Sequence, residues 1–362
     1  MKYKILILGS TGKLGSKLLK YCNSEKISVN CVTCYKNTKK LNNQVTKYKI
    51  PNSYTLSKNE KNFLHNISNS KFKIIYFLDY GSYSLRYLSI LLNNNTNSYF
   101  AIANKEMLIT GGNLLINKIN KTKNKLIPID SEHFSLFKSN PINSDIKKLY
   151  ITASGGPFYF NKKTNLNKVD LNQVLDHPKW NMGTNNSIDS SNFVNKILEL
   201  FEVATLFRID ISKIDFLISK EAFIHSIILF KDNTLSFNCF ANNMLITLIK
   251  PLTILFNSRQ LKINEKKYFN LENFEILKFD DKRFKAFKYL KLIKKFNHQQ
   301  IINFILLNNI AHKKYLNNTL NYNDIFIFIM KNINLSENKF KFRSFNDILK
   351  YINLTKKNYE KI

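Results

Sequence analysis

One junction near the start of the chain constrains its fold more than any other. The apolar stretch Tyr3-Lys4-Ile5-Leu6-Ile7-Leu8 runs directly into Gly9-Ser10-Thr11-Gly12-Lys13-Leu14-Gly15. A buried strand that feeds a glycine-rich turn and then a helix turns backbone N–H groups toward an anion. Dinucleotide pyrophosphates are held in this way. The pattern that follows alternates, with strands predicted at residues 4–8, 27–35, 73–78, 99–103 and 125–129 and a helix over about 13–23. This alternation predicts an α/β fold whose N-terminal part is a doubly wound, Rossmann-type sheet.

After residue 129 the pattern changes. Strands are expected at 149–154, 216–218, 224–230 and 234–240, with a helix over 192–207, which describes a central α+β domain. Residues 258–284 are polar and irregular. Beyond them Phe284, Phe287, Tyr289, Leu290 and Ile293 recur at helical spacing, as do 301–310 and 324–330, and predict a C-terminal helical bundle. The expected division is a nucleotide-binding domain at 1–129, a catalytic and dimerisation domain at 130–257, a linker at 258–284 and a helical domain at 285–362.

The chain carries 56 Lys and Arg against 25 Asp and Glu, a net charge of +31. The lysines are spread evenly among many Asn, Ile, Phe and Tyr, which reads as a coding bias and not as a dedicated nucleic-acid surface. No nucleic-acid partner is expected, although such a chain suits anionic small molecules. No apolar run reaches the ~18 residues that span a bilayer. The best stretch, 244–256, is broken by Lys250 and Pro251, so no membrane partner is expected. With no secretory or transit pattern at the start, cytoplasmic residence is expected. Cys31-x-x-Cys34 has no second pair to complete a zinc site, and reads as strand packing.

The chemistry concentrates in a few places. After the second strand an NAD site would place an acid on the ribose hydroxyls; here Tyr35-Lys36-Asn37-Thr38-Lys39-Lys40 offers lysines, which suit the 2′-phosphate of NADPH. Asp130 and Glu132 are two apart at a strand end and are expected to share a face. With Glu199 they give three carboxylates, a hard oxygen set for Mg²⁺ or Mn²⁺, with Co²⁺ a further candidate, and not for zinc. Asn195 and Glu199 are four apart on a predicted helix, with Lys196 beside them. Ser154-Gly155-Gly156 ends a strand where backbone N–H groups can meet a phosphate, and Ser190 is expected to cap the helix and to reach a phosphate oxygen. The segment His177-Pro178-Lys179-Trp180-Asn181-Met182-Gly183 reads as a mobile lid, with Trp180 over the ligand.

At these residues the chain resembles the 1-deoxy-D-xylulose 5-phosphate reductoisomerase family. The matching segments are Gly9-Ser-Thr-Gly12, Ala103-Asn-Lys-Glu106, Pro128-Ile-Asp-Ser-Glu-His133, Thr152-Ala-Ser-Gly-Gly-Pro-Phe158, His177 to Gly183, and Ser187-Ile-Asp-Ser190 running on to Asn195-Lys-x-x-Glu199. The resemblance implies NADPH- and metal-dependent rearrangement and reduction of a sugar phosphate by a homodimer. It implies metal ligands Asp130, Glu132 and Glu199, with Lys105 also catalytic. Ser131, Glu132, Ser154, His177, Ser190, Asn195, Lys196 and Glu199 would surround the substrate. Ser10, Thr11, Gly12, Lys13, Leu14, Lys36, Asn37, Asn104, Lys105, Glu106 and Gly183 would line the cofactor. Departures include Thr184-Asn185-Asn186 in place of a basic pair and an apolar residue, and Asn308-Asn309-Ile310-Ala311 in place of an Ala-Asn-Glu signature. Two other readings compete: another NADPH-linked dehydrogenase, which would not need three carboxylates with a phosphate grip, and a non-catalytic basic binding protein.

Overall fold

The structure, a computed structural model, describes residues 3–178, 182–256, 275–333 and 340–361. These fall into two compact units, one within residues 1–138 and 241–265, the other within 139–240 and 266–362.

The first unit is built on β1 (Ile5–Leu8), β2 (Cys31–Cys34), β3 (Asn52–Thr55), β4 (Ile74–Phe77), β5 (Tyr99–Ile102) and β6 (Lys125–Pro128). All pairings are parallel, in the order β3-β2-β1-β4-β5-β6. Every residue of β1, β2 and β4 is buried, as expected of parallel strands covered on both faces. Strand order reverses between β1 and β4, and ligands of such sheets bind in the crevice outside that switch point. The glycine turn follows β1 and therefore opens there.

The predicted second strand is longer than the observed one. Asn30 already pairs with Ile5 through its side chain at 2.9 Å and its N–H at 3.0 Å, so ladder pairing by regular strand geometry starts only at Cys31. The thiols of Cys31 and Cys34 are buried, and desolvation pushes that of Cys31 up to about 12. The apolar run at 244–256 forms two short helices, Leu245–Leu248 and Lys250–Phe256. Leu248 and Leu252 join the core around Ile5, Ile7, Val32 and Tyr76, and the Tyr76 hydroxyl donates to Leu248 O at 2.9 Å. Among the described residues no helix is long and apolar enough to cross a membrane.

The second unit carries a mixed sheet of β7 (Ile146–Ala153), β8 (Ile214–Ile218), β9 (Ile224–Phe230), β10 (Leu235–Cys239) and β11 (Leu277–Lys278), in the order β10-β9-β7-β8-β11. Only β7 and β8 pair in parallel. The helix predicted over 192–207 is observed as Val194–Phe207, and a further helix, Thr184–Ser191, precedes it. They break at Phe193, whose φ of 67° is left-handed, a costly conformation for a bulky residue. Aromatic packing holds it there: the Phe193 ring lies 4.4 Å from Phe279 and 4.7 Å from Phe284. The C-terminal helices Lys285–Ile293, His298–Leu316, Ile325–Asn332 and Phe345–Tyr359 complete the unit. Asn297 with Gln300, and Ser344 with Asp347, form capping boxes at two of their starts.

Candidate active site

The turn after β1 is shaped by close approach. Gly9 has φ +79°, and a Cβ there would come within 2.6 Å of Asp79 N and 2.7 Å of Leu78 O, both backbone atoms. The N–H groups of Gly9 and Ser10 both donate to Thr33 O on β2, at 3.1 and 2.9 Å. Ser10 is fully buried; its hydroxyl donates to Gln44 Oε1 and its carbonyl accepts from Gln44 Nε2, both at 2.9 Å. Ser10 is thus bonded inward and shapes the turn. Gly12 caps helix Lys13–Ser24 in an extended conformation, so the first N–H groups of that helix, at Lys13 and Leu14, have no partner within it. After β2, Lys36, Lys39 and Lys40 are exposed. Asn37 caps helix Thr38–Tyr48 by accepting from Lys40 N at 3.1 Å.

Asn104 caps helix Lys105–Lys121 in the same way, accepting from Met107 N at 2.9 Å. Its amide donates to Gly81 O at 3.0 Å and to Asp79 Oδ1 at 3.3 Å. Asp79, at the end of β4, also accepts from Ser84. Desolvation raises its carboxyl above the ordinary range, against the hydrogen bonds from Ser84 and Asn104. No motif in the sequence singles out Asp79. Its signal is an acid directly after β4, on the far side of the switch point from the glycine turn.

Asp130 and Glu132 do not share a strand face, as the sequence suggested. β6 ends at Pro128, and Ser131–Ser139 is a helix. Asp130 caps it: its Oδ1 accepts from Glu132 N at 3.3 Å and its carbonyl from Phe134 N at 2.9 Å. An acid followed by a hydroxyl residue is also a helix start, and here that signal outweighs the strand pattern before it. Lys105 Nζ lies 3.4 Å from Asp130 Oδ2, and His133 Nδ1 lies 3.1 Å from Asp130 Oδ1. Lys105 and His133 are both buried. The Ser131 hydroxyl donates to Glu132. His133, one turn after Asp130, is a partner that sequence reasoning did not single out.

In the second unit, helix Val194–Phe207 presents Asn195, Lys196 and Glu199 together. Lys196 Nζ donates to Thr152 O at 2.7 Å and lies 2.5 Å from Glu199 Oε2, while the Asn195 amide donates to Glu199. Glu199 is 2% exposed, so the ammonium and the amide offset the cost of burying its charge. Ser190 does not cap this helix. It lies in the last turn of Thr184–Ser191, and Asn192 Oδ1 takes the Val194 N–H at 3.0 Å instead. Ser190 still meets the Ser154-Gly155-Gly156 loop: a Cβ on Gly156, where φ is +61°, would sit 3.1 Å from Ser190 O. Gly183 caps Thr184–Ser191 and is exposed. Trp180, expected as a lid, lies outside the described residues.

His177 Nε2 is 3.3 Å from Ser154 Oγ. Burial first, and the Lys196 ammonium second, lower its pKa from 6.5 to about 4. The folded chain therefore binds fewer protons here than the unfolded chain, and stability falls as pH drops from 6.5 toward 4. Above that window the ring is neutral and contributes no slope. Urea midpoints across this range are expected to decline less steeply in His177→Gln than in the wild type; an identical slope would remove His177 from the account.

A parallel sheet reversing at the glycine turn, with a helix N-terminus beyond it and a capped Asn-Lys-Glu segment across the switch point, is the arrangement of a dinucleotide-binding protein. The sequence profile of the 1-deoxy-D-xylulose 5-phosphate reductoisomerase C-terminal domain matches residues 126–207. The 1-deoxy-D-xylulose 5-phosphate reductoisomerase of Pelagibacter ubique is 33% identical over 93% of this chain and 93% of its own. That of Clostridium novyi is 30% identical over 92% of this chain and 93% of its own. The chain belongs to the 1-deoxy-D-xylulose 5-phosphate reductoisomerase family. The fold agrees across the molecule: a crystal structure of DOX-P reductoisomerase with NADPH, fosmidomycin and magnesium superposes with a TM-score of 0.84 at 21% identity, covering 99% of this chain and 97% of that one. The Zymomonas mobilis enzyme in complex with NADPH gives 0.80 at 21% identity, covering 99% of this chain and 98% of that one.

Proposed function

We propose that this chain rearranges 1-deoxy-D-xylulose 5-phosphate and reduces the product with NADPH to 2-C-methyl-D-erythritol 4-phosphate, in non-mevalonate isoprenoid precursor biosynthesis. The observation that carries the reading is Asp130 held between Lys105 and His133, 3.4 and 3.1 Å away. It joins the Asn104-Lys105-Glu106 segment of the cofactor to a carboxylate of the metal set.

The residues fit both groups. The side-chain-free Gly9 in the turn after β1, a helix N-terminus beyond it and the exposed Lys36, Lys39 and Lys40 suit NADPH with its 2′-phosphate. Asp130, Glu132 and Glu199 are oxygen donors only, which suits Mg²⁺ or Mn²⁺. When bound, NADPH would supply the hydride and the cation would neutralise negative charge developing on the substrate. The chain does the rest. Lys196, Asn195, Ser190 and Ser154 bind the phosphate dianion, with a neutral His177 bonded to Ser154. If the rearrangement proceeds by carbon–carbon cleavage, that grip retains the phosphate-bearing fragment for rejoining. Ser131 sits beside the substrate hydroxyls, and Lys105 fixes the orientation of Asp130.

The functional division we infer is cofactor binding by 1–129, catalysis and dimerisation by 130–257, a linker at 258–284 and a helical domain at 285–362. A cytoplasmic homodimer completes the reading. Its support is the edge strand β10, which exposes Leu235 and Phe237 at 56% and 50%, a surface that a second copy would cover. The test is nicotinamide absorbance in the presence of the deoxyxylulose phosphate. NADPH loss is expected only when the sugar phosphate and Mn²⁺ are both present. Loss that is independent of the metal, or that prefers an amino-acid semialdehyde, would favour another NADPH-linked dehydrogenase.

A further inference from the structure

Asp189 immediately precedes Ser190 in helix Thr184–Ser191 and is 1% exposed. Its Oδ1 accepts two hydrogen bonds, from Asn308 Nδ2 at 2.9 Å and from His312 Nε2 at 2.8 Å. Both donors are buried and lie four apart on helix His298–Leu316, so they share one face of it. Among the described residues the remaining polar atoms of these two donors, Asn308 Oδ1 and His312 Nδ1, have no hydrogen-bond partner. Their directed contacts thus converge on a single oxygen. Apolar residues of similar volume would fill such a core at least as well, so a buried polar triad is weak evidence for stability. What it adds is direction, because hydrogen bonds fix a helix at one rotation and height where apolar contacts tolerate sliding.

The part so fixed borders the phosphate site. Ser190 is the next residue, and its carbonyl is the atom against which Gly156 packs. Two residues on, the chain turns at Asn192 and Phe193 into the helix bearing Asn195 and Lys196. A shift of Thr184–Ser191 would move Ser190 against Ser154 and alter the entry to that helix.

We propose that Asp189, clasped by Asn308 and His312, is a positioning residue that sets Ser190 for the substrate phosphate. The C-terminal helices thereby tune phosphate affinity without touching the ligand. This deepens the proposed function and rests on Ser154, Ser190, Asn195 and Lys196 as the phosphate site.

The test compares His312→Leu, which removes the donor at similar volume, with His312→Gln, which restores an amide donor. His312→Leu is expected to raise KM for the sugar phosphate about tenfold, with kcat within about twofold and KM for NADPH unchanged. His312→Gln recovers most of the loss. Inorganic phosphate, followed by its effect on the thermal unfolding of each variant, should bind in the same order: wild type, then Gln, then Leu. If the wild type fails to turn over the sugar phosphate yet phosphate binding keeps this order, the activity reading falls and the clasp stands. The clasp is overturned if a folded His312→Leu keeps wild-type KM and phosphate affinity, if Gln behaves as Leu, or if both KM values rise together. Should His312→Leu not fold, Asn308→Ala, which leaves the His312 bond in place, carries the same comparison.

Discussion

Replacing Glu199 with Gln is expected to lower turnover by about 10²–10³-fold or more while NADPH affinity stays within about twofold. The substitution keeps shape and volume but removes the charge next to Lys196 Nζ, 2.5 Å away. It also leaves the Asn195 amide facing a group that can itself be a donor. The proposed cation loses one of three carboxylates, and the ammonium loses the partner that directs it. The cofactor turn lies far along the chain in the other compact unit, so NADPH binding, followed by nicotinamide fluorescence, serves as the internal control for folding. Near-normal turnover would remove Glu199 from the ligand set. Parallel loss of NADPH binding would show that the variant is misfolded and not specifically impaired.

Gly9→Ala is the second large effect. At φ +79° an alanine is strained by about 1–2 kcal/mol. Its Cβ would also meet Asp79 N at 2.6 Å and Leu78 C and O at 2.7 Å. These are backbone atoms following a fully buried strand and cannot swing aside, so overpacking adds a further ~1–3 kcal/mol. The urea midpoint should fall accordingly, and NADPH affinity should drop more than about tenfold, because relief of the clash moves the turn away from the end of β4. Gly183→Ala provides the contrast: its φ is −71° and among the described residues a Cβ would meet nothing within 4 Å, so its stability should fall by about 1 kcal/mol at most, the cost of a poorer helix cap. Equal stability of the two variants would mean that the turn is looser than its packing implies.

What could be read from sequence followed burial. β1, β4, β5 and β6 lie where the apolar runs predicted them, because buried parallel strands are written as short continuous apolar segments. The stretch containing Thr38–Tyr48, Asn52–Thr55 and Leu56–Asn69 was not legible. β3 is an edge strand of sequence Asn-Ser-Tyr-Thr with only Thr55 buried, and the helices beside it are rich in Lys and Asn, so their apolar stripes are thin. The carboxylates and the phosphate-facing residues were named by type and spacing and the others through the family resemblance, but two local geometries were not. The Asp130 cap turned a supposed strand end into a helix start, and the left-handed Phe193 sets the expected helix apart from a short one, Thr184–Ser191, that precedes it. Both depend on what packs around them, which for Phe193 is Phe279 and Phe284, far along the chain. His312, Asn308 and Asp189 were equally invisible, since nothing local marks residues more than a hundred positions apart as partners.

The central proposal is that Asp130, Glu132 and Glu199 serve a single divalent cation. Mn²⁺ binding, followed by loss of the free-ion electron paramagnetic resonance signal in the presence of NADPH, tests it without turnover. One site per chain is expected in the wild type, weakened at least about tenfold in each of Asp130→Asn, Glu132→Gln and Glu199→Gln, with all three chains still binding NADPH. Wild-type Mn²⁺ affinity in any folded member of that set would contradict it.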